Sequence, residues 1–183
     1  MRETDWANSI SGRLTEAFPK YRIDTGIRLT YAHEIREYTS DKPHYQQMKY
    51  ETDLLIQEET RSGDWIPRVV IETKLRRISS HAAITYSQKA ASHKQVHPYL
   101  RYGIFIGDRG TFPLPGRLFR HGAHFDFMLS WKSHKSSTEE WKELVRILRH
   151  EIKASKTLEK LLYESRKKNR DHLFSFHKPL RIK

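Results

Sequence analysis

The sequence predicts a mixed α/β domain in which a helix, a three-strand meander, a second helix and a further strand follow one another. Three observations carry this. Apolar side chains recur at helical spacing over residues 4–17. Short apolar runs at 21–31, 50–57 and 67–74 are separated by turn-forming residues. A segment rich in small residues, from Ser79 or Ser80 to His97, then leads into the apolar run YGIFIG at 102–107.

The elements follow in order. Trp6, Ile10, Leu14 and Ala17 give the first helix its apolar side, and Pro19 ends it. Ile23, Thr25, Ile27, Leu29 and Tyr31 alternate as in a strand, with an interruption at Gly26. Residues 32–49 are polar and irregular, contain Pro43, and are expected to form a loop or insertion. YETDLLIQ (50–57) and PRVVIETK (67–74) read as an antiparallel hairpin around Ser62-Gly63-Asp64. Ser79 or Ser80 is suited to cap the next helix. Its Ala82, Ala83, Ser87, Ala90 and Ala91 allow close approach to a sheet. Asp108-Arg109-Gly110 stops the strand after it, and residues 111–121, with Pro113, Pro115 and Gly116, are expected to be loop. Phe125, Phe127 and Leu129 alternate within a last strand over 123–131. Trp141, Leu144, Val145 and Leu148 begin a helix that Ser137 or Thr138 caps and that Ile152, Leu158, Leu161 and Leu162 extend. The basic tail ends the chain, with Phe174 and Phe176 as candidates for packing or for stacking on bases. One domain over 1–183 is expected, with a core at about 3–107 and a strand-and-helix extension at about 111–183.

Composition narrows the partner. Lys and Arg number 34 against 22 Asp and Glu, a formal net charge of +12. Such an excess favours a polyanion, nucleic acid before an anionic membrane. The chain has no cysteine, which excludes disulfides and thiolate zinc sites and is compatible with a cytoplasmic location. The charged N-terminus is unlike a signal peptide. No apolar run approaches the roughly 18 residues that a membrane span needs.

Chemistry concentrates in the hairpin. Asp53 opens the run DLLI, and Glu72 and Lys74 close VVIETK. Charges there are out of place in strands that serve only as core. Side chains alternate along a strand, so Glu72 and Lys74 share one face. In an antiparallel hairpin, pairing of residue 57 near 67 brings Asp53 opposite 71 or 72. Two carboxylates, joined by the Thr73 carbonyl, then suit a hard divalent cation such as Mg2+. Lys74 is placed to hold the attacking water or the scissile phosphate and to offset charge developing there. A phosphodiester hydrolase would need these parts.

These residues resemble the PD-(D/E)xK nuclease superfamily, to which many restriction endonucleases and Holliday-junction resolvases belong. The resemblance covers roughly residues 3–107. The superfamily's aspartate matches Asp53 within Glu51-Thr52-Asp53, and its Glu-x-Lys matches Glu72-Thr73-Lys74; Thr52 stands where the name-giving proline would be. It implies a restriction-endonuclease-like αβββαβ core with a mixed central sheet, and Mg2+ as cofactor with Mn2+ able to substitute. It also implies a further acidic ligand from the first helix, Glu16 or Glu3, and a polar residue from the helix after the Glu-x-Lys strand, for which Gln88 is the candidate.

Arg76, Arg77, Lys89 and Lys94 are candidate phosphate contacts. Lys89, His93, Lys94 and His97 lie three or four apart on one helix, as either a phosphate-facing or a solvated stripe. His121 and His124, or His93 and His97, lack the companions of a zinc motif. The leading expectation is a DNA endonuclease of the type II restriction kind, acting as a homodimer because palindromic sites mirror two-fold symmetry. The alternatives are a structure-selective nuclease of junctions or damaged DNA, and a DNA-binding module without activity.

Overall fold

The computed structural model describes residues 1–164, together with 168, 175, 177 and 179–182 of the tail. Phe174 and Phe176 lie outside the described residues. Helix α1 (Glu3–Ala17) leads into β1 (Tyr21–Asp24), β2 (Ile27–Tyr38), β3 (Pro43–Thr52), β4 (Leu54–Glu59) and β5 (Trp65–Leu75). Helix α2 (Ser80–Val96), β6 (Arg101–Gly107), α3 (Gly116–His121), β7 (Phe127–Ser130) and α4 (Thr138–Glu164) complete the order. The main sheet runs β1-β4-β5-β6-β7. Its β1/β4 and β4/β5 pairs are antiparallel, and its β5/β6 and β6/β7 pairs are parallel. The fold is therefore mixed α/β with a five-stranded mixed sheet. Among the described residues no helix is long and apolar enough to cross a membrane.

Alternation along β5 explains how both faces are covered. Val69 and Ile71 pack with Trp6, Ile10 and Leu14 of α1 and Leu144, Leu148 and Ile152 of α4. Val70 faces the other way, with Leu55, Tyr102 and Ala90 of α2. Ile104 and Ile106 extend that second face against Ala83 and Leu118. Glu72 and Lys74 follow Val70 at two-residue steps, so strand geometry sends both toward α2. As expected, α2 approaches through small side chains, with Ala83, Ser87 and Ala90 buried. Ser79 caps it, accepting a hydrogen bond from the Ala82 N–H at 3.0 Å.

Three expectations are corrected. Residues 32–49 are not loop. They form most of a ribbon, β2 paired antiparallel with β3, with bulges between Thr30 and Ala32 and between Ile35 and Glu37. Both faces of its outer half are exposed, so no apolar alternation marks it, and Pro43 fits as the first residue of β3, where no ladder N–H is missed. Residues 116–121 form α3 and bury Leu118. The last strand is shorter than 123–131: Phe125 N–H bonds the Gly122 carbonyl in a turn at 3.0 Å. Phe125 packs on the α2 side, and Phe127 on the α1 side. At α4, Ser137 is the capping residue: its hydroxyl accepts from Glu140 N–H at 3.1 Å, and Glu140 accepts from Ser137 N–H at 2.7 Å.

Chain entry and exit of the ribbon position the site. β1 passes into β2 through Thr25-Gly26, where Gly26 takes φ +69° and its N–H bonds the Thr52 carbonyl at 3.0 Å. The returning strand breaks at Asp53 before β4 begins. Buried Thr52 locks this neck by donating its hydroxyl to the Ile27 carbonyl at 3.0 Å. Asp53 therefore sits at a discontinuity, where its side chain is free of regular pairing and can turn toward β5.

Candidate active site

The hairpin register brings the two acids together. Gln57 pairs with Pro67 and, after a bulge, Leu54 pairs with Ile71, so Asp53 comes up beside Glu72. Asp53 Oδ2 accepts from the Thr73 N–H at 2.7 Å and from the Thr73 hydroxyl at 3.0 Å. The N–H and C=O of a strand residue point to the same edge, so the Thr73 carbonyl is directed to the side on which Asp53 lies.

Glu72 is fully buried. Its Oε1 accepts from Lys89 Nζ at 3.2 Å and from the phenol of Tyr102. Its Oε2 is buried with no hydrogen-bond partner among the described residues. Such an atom is costly unless something satisfies it. Burial, and then the charge of Asp53, push the Glu72 carboxyl up to about 7, against the opposing pull of Lys89 and Tyr102. The Tyr102 phenol is itself held well above its ordinary range, by burial first and then by the charge of Glu72. It therefore stays a neutral donor.

Lys74 extends along the same face. Its ammonium donates to Glu3 Oε2 at 2.7 Å and lies 4.9 Å from the centre of the Tyr86 ring. Burial pulls its pKa down, but Glu3 and Tyr86 outweigh burial, so the net shift is upward and the group stays charged. Glu3 Oε1 also accepts from the Leu75 N–H at 3.2 Å. Glu3 reaches this point because α1 is seated by Trp6. The Trp6 ring lies where a Cβ on Gly107 would stand, 2.5 Å from its nearest atom, and its N–H bonds the His134 carbonyl at 2.8 Å.

The remaining candidates divide. Glu16 is exposed and thirteen residues further along α1, about 20 Å along the helix axis, so the first-helix acid at the site is Glu3 and not Glu16. Gln88 is exposed, and its neighbour Lys89 is the α2 residue that reaches Glu72. One helical position is a rotation of about 100°, enough to exchange these roles. Lys89 also donates to the Glu51 carbonyl at 3.1 Å. Arg76, with φ +64°, is exposed and pairs with Asp108 at 2.9 Å. Arg77 is exposed beside it. Lys94 is tied to the His124 carbonyl at 2.6 Å and to Asp126 at 2.8 Å. His93 is buried, and its Nδ1 and the Nε2 of His97 both meet the Thr30 carbonyl, at 3.2 and 3.1 Å. The stripe expected on α2 is thus neither phosphate-facing nor solvated at His93.

Tyr102 and Tyr86 were not anticipated as site residues. Tyr102 carried a signal: a phenol in a fully buried strand must find a partner for its O–H. Among the described residues no three Asp, Glu or His side chains form a metal-ligand group. A divalent ion here would rest on Asp53, Glu72 and the Thr73 carbonyl, with its other positions left to water or phosphate. That sparse, all-oxygen set suits Mg2+, and the unpartnered Oε2 of Glu72 is the atom that such an ion would satisfy. The chain matches no protein-family model and no curated protein.

Proposed function

We propose that this protein is a metal-dependent DNA endonuclease of the PD-(D/E)xK kind, hydrolysing phosphodiester bonds at Asp53, Glu72 and Lys74. The observation that carries the reading is the pairing of Asp53 with a fully buried Glu72 whose Oε2 lacks a partner among the described residues, beside a charged lysine. A purely structural acid in that position would be expected to have both oxygens satisfied.

Each residue has a task in this reading. Asp53, Glu72 and the Thr73 carbonyl would hold Mg2+, or Mn2+ in its place. When bound, the ion supplies Lewis acidity toward the phosphate and lowers the pKa of water. Tyr102 and Lys89 fix Glu72 Oε1, which leaves Oε2 to face the ion. Lys74, kept protonated, offsets negative charge that grows on the phosphoryl oxygens. Glu3 holds the Lys74 ammonium in place until a phosphate competes for it. The chain's net charge of +12 supplies general attraction for DNA, and exposed Arg77 stands at the end of the strand that carries the site.

The test is cleavage of plasmid and of synthetic DNA with Mg2+ or Mn2+. Cleavage that EDTA abolishes and that Glu72→Ala lowers by at least a hundredfold, with DNA binding retained, is the expected result. DNA binding without cleavage under any divalent ion would leave the binding-module alternative. Symmetric cutting of both strands would call for a homodimer, which sedimentation equilibrium with and without DNA would detect.

A further inference from the structure

A cleft of about 630 Å³ opens between Tyr50 at the base of the ribbon and the exposed side of α2. Its walls include Tyr50, Tyr86, Lys89, Thr85, Gln88 and Ser92. Two of these belong to the site as well: Lys89 bonds Glu72, and Tyr86 lies against the Lys74 ammonium. The cleft therefore shares Lys89 and Tyr86 with the surroundings of Glu72 and Lys74.

The aromatic wall has a specific form. Tyr50 stacks on Tyr31 with ring centres 3.7 Å apart and planes 5° from parallel. Tyr50 is the member of that stack that lines the cleft. Lys89 Nζ lies 5.7 Å from the Tyr50 ring and 5.3 Å from the Tyr86 ring. A two-ring stack that ends at a cleft, with an ammonium beside it, offers a flat third layer and a positive charge for an anionic backbone. Thr85, Gln88 and Ser92 add hydroxyl and amide groups, which can hydrogen-bond the edge of a planar ring.

On this basis, and resting on the nuclease reading above, we propose that the cleft receives one unpaired base, which continues the Tyr31–Tyr50 stack while its phosphodiester lies over Asp53 and Glu72. A base inside an intact duplex is stacked on both faces and paired along its edge, so it cannot enter without leaving the helix. The substrate class is then DNA with an unpaired nucleotide at the cut: a single strand, a flap, a bulge or a branch. Uninterrupted duplex is the poorer substrate.

Two measurements test this. With Mg2+, cleavage of a duplex that carries one unpaired nucleotide is compared with cleavage of the matched duplex. The wild type is expected to favour the first by at least tenfold. Tyr50→Ala, which removes the stacking ring, and Ser92→Trp, which fills the cleft from α2, are each expected to bring that ratio close to one. Ser92→Trp leaves the ribbon untouched, so it stands if Tyr50→Ala fails to fold. Separately, fluorescence anisotropy of a labelled single-stranded oligonucleotide, with Ca2+ in place of Mg2+, is expected to show binding weakened about tenfold by either variant, in line with the loss of one base–aromatic stack. Equal cleavage of both substrates, unchanged by Ser92→Trp, would overturn the base cleft and leave the nuclease standing. Single-strand binding that both variants weaken, with no cleavage under any metal, would overturn the nuclease and retain the cleft.

Discussion

Lys74 Nζ and Glu3 Oε2 meet at 2.7 Å although 71 positions separate them in the sequence. The pair joins the first turn of α1 to the end of β5, and it holds the ammonium on the face that carries Glu72. Lys74→Ala is expected to lower the cleavage rate by about 10²- to 10³-fold, the usual size for loss of one group that stabilises transition-state charge. Glu3→Gln keeps a hydrogen-bond acceptor for Lys74 but removes the counter-charge, and a change of less than about tenfold is expected. Single-turnover rates at saturating metal measure both.

Tyr102 is the hydroxyl that satisfies Glu72 from within the sheet. Tyr102→Phe conserves shape and leaves the acid with one donor fewer in a buried setting. Destabilisation of roughly 1–3 kcal/mol is expected in urea unfolding. An effect below about 0.5 kcal/mol would mean that the phenol is not needed to hold Glu72.

His93 and Glu72 make opposing contributions to stability against pH. Burial lowers His93 to about 4, so the folded state resists taking up a proton that the unfolded chain binds near 6.5. Its contribution is present above 6.5 and is lost as pH falls toward 4. Burial and Asp53 raise Glu72 to about 7. Its contribution is present below about 4.5 and is lost as pH rises through 7. Across pH 4.5–6.5 these two slopes oppose and largely cancel each other. His93→Asn should grow more stable on acidification over that window, and Glu72→Gln less stable. Denaturant midpoints at half-unit pH steps check the signs, and parallel profiles for both variants would refute the pairing.

Gly107 makes room for Trp6. Gly107→Ala would force the ring away and is expected to cost about 1–3 kcal/mol through overpacking. Because Trp6 seats the helix that carries Glu3, the same substitution should also disturb the Lys74 environment. Thermal unfolding measures the first effect, and cleavage rates of the still-folded variant measure the second.

The hairpin that carries the chemistry was legible because short-range rules govern it. The pairing of 57 with 67 occurs as expected, and Asp53 follows beside Glu72 through a one-residue bulge. The order of the main-sheet elements was legible for the same reason, except that the expected strand 21–31 divides at Gly26 between β1 and the ribbon strand β2. The ribbon was hidden because its outer half buries nothing, so solvent leaves both faces polar. The choice of Glu3 over Glu16 depended on where α1 is seated, which the packing of Trp6 on Gly107 decides across the fold. The choice of Lys89 over Gln88 turned on helix phase, which small residues alone do not fix to within one position.

The break at Asp53 also has a mechanical side. β3 runs for ten residues, about 33 Å of extended chain, and ends one residue before this carboxylate. Its root is pinned by the Thr52–Ile27 and Gly26–Thr52 bonds, while its outer half is exposed. The ribbon is thus a lever whose short end is an acid of the candidate centre. Tyr38 and Tyr45, both exposed, mark the outer end of an arm whose inner end adjoins Asp53.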